Sequence, residues 1–273
     1  MTLNCNGQLL TLDTPRILGV LNITPDSFYD GGAYLNVNAA IQQCEKMITE
    51  GVDIIDLGAY SSRPGAKEIT ENEELSRLLP VLEQLKNRFP NTLFSIDTFR
   101  SKVAQEALDR GASMINDISA GKLDPNMIRT VAKYPVPYIA MHMQGTPNTM
   151  QNNPSYVDIF AELIHFFSKK IDECYAAGIN DVIIDPGFGF GKTIENNYEL
   201  LQRFERFQQF NVPVLAGVSR KSMIYKTLDV STEEALNGTT VLNTYALIKK
   251  AQFLRVHDVK EAKECITLLQ RLQ

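Results

Sequence analysis

Tryptophan is absent from this chain of 273 residues, histidine occurs three times, and cysteine four times. Nowhere do about 18 apolar residues follow one another, which excludes a simple membrane-spanning helix. Basic residues are not in excess: 27 Lys and Arg stand against 32 Asp and Glu, a formal net charge of −5. No block of one sign occurs, so neither a nucleic-acid face nor an anionic-membrane face is expected, and an anionic ligand needs a local site. Cys5, Cys44, Cys174 and Cys265 lie far apart with no CxxC or histidine-paired spacing. They read as reduced thiols, because a chain this long builds its own core without a disulfide framework. Met1 to Pro15 contains no basic residue and no signal-like apolar run, so a cytoplasmic location is expected.

What is present is a repeat. Eight short runs rich in Ile, Val and Leu occur at 16–21, 53–57, 92–96, 113–115, 136–141, 181–184, 213–216 and 251–256. Amphipathic stretches separate them, at 37–50, 71–89, 101–110, 155–177, 195–210 and 233–249. Strands apolar on both faces and joined by helices must be covered on both sides. Eight such units without a long linker predict an α/β fold, a single (β/α)8 TIM barrel over residues 1–273. Residues 1–15 stand outside the repeat. Their Asn6-Gly7 pair, set between Leu3–Cys5 and Gln8–Leu10, predicts a β-hairpin that closes the bottom of the barrel.

In such a barrel the C-terminal strand ends converge on one pocket. Polar residues recur there: Asn22, Ser61-Ser62-Arg63, Asp97, Asn116-Asp117, His142, Asp185, Ser219-Arg220-Lys221, and Arg255 with His257. Each has an ordinary structural use. Asp97 and Asp185 are good helix N-caps, Asn22 and Asn116 suit turns, and a lone arginine or histidine is often solvated. Those uses do not account for polar residues at all eight ends. Arg63, Arg255, His257 and the Ser62 hydroxyl suit phosphate oxygens. Asp97, Asn116, Asp185 and Lys221 suit a flat heterocycle that carries N–H donors and a carbonyl acceptor. Asn22 offers one oxygen to a hard cation such as Mg2+, whose other ligands would be phosphate and water.

Gly187-Phe188-Gly189-Phe190-Gly191-Lys192-Thr193 ends like a phosphate-binding loop. That motif requires glycine where Pro186 stands, and the dinucleotide pattern requires glycine where Lys192 stands. The glycines are instead expected to let the backbone approach a planar ligand beside Asp185, with Phe190 stacking on it.

The segments Asn22 to Phe28, Ser61 to Gly65, Ser95 to Thr98, Ile115 to Asp117, Asp185 to Thr193, Gly217 to Ser222 and Arg255 to Asp258 make the sequence resemble the dihydropteroate synthase family over nearly its whole length. The resemblance implies condensation of (7,8-dihydropterin-6-yl)methyl diphosphate with 4-aminobenzoate, by carbon–oxygen cleavage ahead of amine attack. It implies pterin binding by Asp97, Asn116, Asp185 and Lys221. Diphosphate binding would fall to Asn22 with Mg2+, Ser62, Arg63, Arg255 and His257. Thr24, Met141, Phe190, Gly217 and Val256 would complete the substrate pocket, with Phe28 and Pro64 gripping the aminobenzoate ring and Ser222 its carboxylate. Catalysis would rest on Asp97, Lys221, Arg63, Arg255 and His257, with Asp26 pinning a closed loop. The partners implied are these small molecules and a second copy in a homodimer. One departure is Tyr60, where the family commonly has glutamate ahead of its Ser-Thr-Arg-Pro. The alternatives are another pterin-binding barrel, such as a methyltetrahydrofolate corrinoid methyltransferase, and a non-catalytic pterin-binding paralogue.

Overall fold

The computed structural model describes residues 1–23, 32–61, 68–147, 149–150 and 154–272, with the backbone alone described for 32–36. Strands β1 (Thr2–Cys5) and β2 (Gln8–Thr11) pair antiparallel, with Cys5 opposite Gln8. Asn6 at φ 57° and Gly7 at φ 88° make the tight turn between them, the left-handed pair that a two-residue hairpin requires. All eight expected barrel strands are present: β3 (Arg16–Asn22), β4 (Ile54–Gly58), β5 (Leu93–Asp97), β6 (Met114–Asp117), β7 (Tyr138–Met141), β8 (Val182–Asp185), β9 (Leu215–Ala216) and β10 (Phe253–Val256). They form one parallel sheet in the order β8-β7-β6-β5-β4-β3-β10-β9. A parallel bridge from Ile184 to Val214 joins its two ends, so the barrel closes.

The helices of the repeat are α1 (Gly32–Thr49), α2 (Glu71–Arg88), α3 (Ser101–Asp109), α4 (Met127–Val131), α5 (Ile159–Ala177), α6 (Ile194–Gln202), α7 (Ser222–Leu228), α8 (Leu236–Ile248) and α9 (Val259–Leu269). Local chemistry sets several ends. The Thr70 hydroxyl accepts from Glu73 N at the start of α2, whose first turn is acidic and last turn basic. Gly178, at φ 99°, ends α5. The helix expected over 195–210 divides: α6 ends at Gln202, and Phe204–Phe210 forms a 3-10 helix. Phe204, Phe207 and Phe210 explain the division, since a three-residue spacing aligns on one face only at three residues per turn. The stretch expected over 233–249 divides likewise, into a 3-10 turn at Glu233–Ala235 and α8. Among the described residues no helix is long and apolar enough to cross a membrane.

One buried residue from each barrel strand joins an apolar cluster at the N-terminal end: Leu18, Ile54, Leu93, Met114, Ile139, Ile183, Leu215 and Phe253. Leu3, Cys5 and Leu10 of the hairpin belong to the same cluster, so the hairpin does close this end. Backbone bonds hold it there, from Asn4 N to Asp181 Oδ2 (2.7 Å) and from Asn6 N to Pro135 O (2.9 Å).

Candidate active site

Alternate residues of a strand face the same way, so two positions beyond this apolar floor the strands present Val20, Asp56, Ser95, Asn116, Met141, Asp185, Gly217 and Arg255. The barrel interior changes there from wholly apolar to mainly polar. Two positions further on come Asn22, Gly58, Asp97, Ile118, Met143, Gly187, Ser219 and His257. Most of the described site residues expected from the sequence fall into these two layers for one reason: a parallel strand turns every second side chain inward.

The polar layer is tightly bonded. Asp56 Oδ2 accepts from Arg255 Nε (2.7 Å) and from Asn116 Nδ2 (3.0 Å). Arg255 Nη2 donates to Asp97 Oδ2 (2.6 Å). Burial pushes the Asp97 carboxyl up to about 7 despite the opposing Arg255 charge. Asp185 is also raised by burial, against the pull of Lys221 and of the Gly187 N–H, which donates to Asp185 Oδ1 (2.7 Å). Burial lowers Lys221 to about 8, although Asp185 opposes that shift. Lys221 Nζ donates to Phe188 O and lies 4.5 Å above the Phe190 ring.

Two glycines gauge how closely these groups stand. A Cβ on Gly58 would lie 3.4 Å from Asn22 Oδ1 and 3.5 Å from Asp97 Cβ. One on Gly217 would lie 3.8 Å from Arg255 Cβ and 3.9 Å from Asp185 Oδ2. Asn22, Asp97, Asn116, Asp185, Gly217, Lys221 and Arg255 therefore stand together at the C-terminal mouth of the barrel. Phe190 and Met141 pack with Ile118, Met143, Met150 and Phe99 to give it an apolar wall. At the rim, His257 is exposed and its Nδ1 lies 3.1 Å from Ser219 Oγ. Val256 is buried behind the pocket, and Ser222 is the first residue of α7. Thr24, Asp26, Phe28, Ser62, Arg63 and Pro64 lie outside the described residues.

The geometry also shows what several of these residues do within the protein itself. Neither Asp97 nor Asp185 caps a helix, since the N-caps of α3 and α6 are Arg100 and Thr193. Arg255, expected among the phosphate ligands, also bridges Asp56 of the polar layer to Asp97 of the next. Asp117 faces away from Asn116 and holds its own turn, accepting from Ser119 N, Gly121 N and the Tyr138 hydroxyl. Arg220 clamps Asp258 through Nε and Nη2, each at 2.8 Å. Two glycines of the 187–193 segment stand hard against the backbone of the 142–144 stretch. A Cβ on Gly187, at φ +71°, would lie 2.0 Å from His142 O, and one on Gly191 would lie 2.5 Å from Gln144 O. Thr193 is the N-cap of α6, in a reciprocal capping box with Asn196.

Asp56 is the residue that sequence reading missed. It lay unmarked inside the 53–57 run, yet it is fully buried and meets both Asn116 and Arg255. A charge interrupting an apolar parallel strand was the available signal. Its Oδ1 and the adjacent Ser95 Oγ have no partner among the described residues, which equips the pocket floor to meet a ligand donor or a water.

A family model described as pterin binding enzyme matches residues 18–257. The chain is 43% identical over 272 residues to dihydropteroate synthase of Haemophilus influenzae, covering 99% of this chain and 98% of that protein. It belongs to the dihydropteroate synthase family. Identity to the Escherichia coli K12 member is 42%, over 99% of this chain and 96% of that one. The barrel superposes on Yersinia pestis dihydropteroate synthase in a sulfonamide drug complex with a TM-score of 0.93, at 41% identity, covering 100% of this chain and 99% of that chain. The Xanthomonas albilineans enzyme with 4-aminobenzoic acid gives a TM-score of 0.93 at 39% identity, covering 100% and 98%. Membership gives the polar layer a ligand class: a pterin is a flat heterocycle whose edge alternates N–H donors with acceptors.

Proposed function

We propose that this protein condenses (7,8-dihydropterin-6-yl)methyl diphosphate with 4-aminobenzoate, giving 7,8-dihydropteroate and pyrophosphate. The observation that carries the reading is the polar layer above an apolar floor, in which Asn116 and Asp185 stand below Asp97, with Lys221 beside Asp185. Asp185 and Asp97 accept from pterin N–H groups, Asn116 bonds the ring edge, and Lys221 donates to the ring carbonyl. Phe190 and Met141 cover its apolar surface. The carbon–oxygen bond then breaks with its electron pair passing to diphosphate. A methylene cation remains, conjugated with the pterin and stabilised by the half-buried Asp97 and the buried Asp185 carboxylates. The neutral arylamine nitrogen attacks the methylene carbon and passes one proton to the departing pyrophosphate, while the surrounding residues keep water away from the cation.

Mg2+ suits the donor set in one way only. Among the described residues no group of three or more His, Cys, Asp or Glu could hold a metal. Asn22 would therefore supply a single oxygen to an ion held mainly by diphosphate and water, as is usual for Mg2+. When bound, the ion neutralises charge developing on the leaving pyrophosphate. His257, with its imidazole set by Ser219, and Arg63 would bind the same anion.

A homodimer and a cytoplasmic location belong to the same reading. On α8, Val241 (57% exposed), Tyr245 (36%) and Ile248 (58%) form one apolar stripe, suited to a second copy of the chain. Val241→Glu is expected to shift the light-scattering mass toward one chain. The four cysteines are free and buried, in keeping with a reducing compartment.

The deciding experiment incubates the protein with both substrates and Mg2+ and follows dihydropteroate by mass spectrometry. Product formation supports the synthase. Pterin binding without product supports a non-catalytic paralogue, and methyl transfer from methyltetrahydrofolate to a corrinoid supports the other pterin-binding barrel.

A further inference from the structure

Lys192 is buried, at 4% exposure, and takes no part in the chemistry above. Its ammonium sits in a cage of four acceptors: Gly187 O (3.0 Å), Phe190 O (3.0 Å), His142 O (3.2 Å) and His142 Nδ1 (3.1 Å). The cage depends on an unusual backbone. Gly187, Gly189 and Gly191 all have positive φ, alternating with Phe188 and Phe190. The turn sends the carbonyls of Gly187 and Phe190 to Lys192 and that of Phe188 to Lys221. Two ammonium groups are thus held by successive carbonyls of one short segment. Burial draws Lys192 well below its ordinary value while the Asp185 charge opposes that shift. With Lys192 charged, the Nδ1 contact puts the proton of neutral His142 on Nε2, and burial together with the Lys192 charge lowers that imidazole to about 2. His142, expected from its strand end to serve the pocket, is instead an acceptor for Lys192.

We propose that Lys192 is a positioning residue for the synthase reaction, tying the end of β7 to the 187–190 turn and so setting where Phe188 O and the Phe190 ring hold Lys221. The proposal rests on the reading of this pocket as the dihydropterin site. Without the ammonium, three carbonyl dipoles and an imidazole lone pair would converge with no donor between them. The turn would have to open to reach water, and the carbonyl and ring that hold Lys221 would move with it. A compact cation suits this cage better than a planar guanidinium does, because the acceptors surround one point.

The test is chemical rescue of Lys192→Ala, which leaves a cage able to take ammonium. Calorimetric affinity for 6-hydroxymethyl-7,8-dihydropterin, the substrate without its diphosphate, is measured in sodium chloride and in ammonium chloride, together with kcat and KM. Affinity is expected to fall on the order of tenfold or more in sodium and to recover in part in ammonium, with the wild type indifferent to the exchange. A lowered melting temperature with wild-type pterin affinity overturns the proposal, and so does a loss that ammonium leaves unchanged. Should Lys192→Ala stay insoluble in both salts, His142→Gln and His142→Leu decide. The glutamine amide oxygen can replace the Nδ1 acceptor, so His142→Gln should stay near wild-type affinity while His142→Leu loses it, and equal affinities overturn the proposal. A wild type that binds no dihydropterin rejects the functional reading itself. One that binds it no better than Lys192→Ala rejects the positioning role alone.

Discussion

Arg255 Nη2 lies 2.6 Å from Asp97 Oδ2, a bond between residues 158 positions apart in sequence. With Nε on Asp56, the same guanidinium joins two carboxylates that would otherwise repel each other inside the barrel. The bridge makes Arg255 a structural member of the site. Asp97, Asn116 and Arg255, which look independent in the sequence, are therefore coupled, with Asp56 between Asn116 and Arg255.

Removing the guanidinium leaves two poorly solvated carboxylates without their cation. Arg255→Met is expected to destabilise the protein by about 3 to 5 kcal/mol, the usual loss when one partner leaves a buried pair. Urea denaturation at pH 8 measures it. At pH 5 the loss should shrink, because Asp97, already raised to about 7, takes up a proton more readily once Arg255 is gone.

Pterin affinity should show a bell-shaped pH dependence, with an acid limb near 7 from Asp97 and an alkaline limb near 8 from Lys221. Asp97→Asn should remove the first limb and Lys221→Met the second, read by calorimetry with the diphosphate-free pterin. Stability follows the opposite logic. The Asp97 value is raised from an unfolded value of about 3.9, so its contribution is full below that pH and is lost as pH rises through 7. The Lys221 value is depressed, so its contribution is full above its unfolded value of about 10.4 and is lost as pH falls through 8. Asp97→Asn should therefore flatten the stability profile between those two carboxyl values, and unfolding curves at several pH values will show whether it does.

Two glycines with positive φ should respond very differently to alanine. At Gly7 a Cβ meets nothing within 4 Å, leaving only backbone strain, about 1 to 2 kcal/mol. At Gly187 the Cβ would lie 2.0 Å from His142 O, so strain and collision combine and Gly187→Ala should cost about 3 kcal/mol or more. Comparable guanidinium midpoints for the two variants would contradict the packing described here.

Asn22→Ala should raise the Mg2+ concentration needed for half-maximal turnover roughly tenfold, the scale on which a weak metal ligand or its support acts. Affinity for diphosphate-free pterin should change little. A variant with an unaltered Mg2+ titration would remove Asn22 from the metal site.

The eight strands, the hairpin and most pocket residues could be read from the chain because each leaves a local trace. A strand buried on both faces is a short Ile/Val/Leu run, a tight hairpin turn is Asn6-Gly7, and a polar residue closing such a run marks the pocket end of a strand. The split of the 195–210 helix was less visible, since its cause is the three-residue aromatic spacing rather than a breaker. Asp56 was hidden because a single acid in an apolar run has no partner in its own neighbourhood; Asn116 and Arg255 reach it only when the barrel closes.

Sequence by itself determined which residues turn inward, because strand periodicity of two is a property of the local backbone. It also placed them at the C-terminal rim, because every strand runs the same way. Tertiary structure alone decided what those residues do to one another: that Arg255 bridges Asp56 and Asp97, that Asp117 faces away, and that Lys192 is sealed under its own loop while Lys221 opens onto the pocket. Charge pairing and burial depend on distances across the barrel, and no spacing along the chain encodes those distances until the sheet has closed.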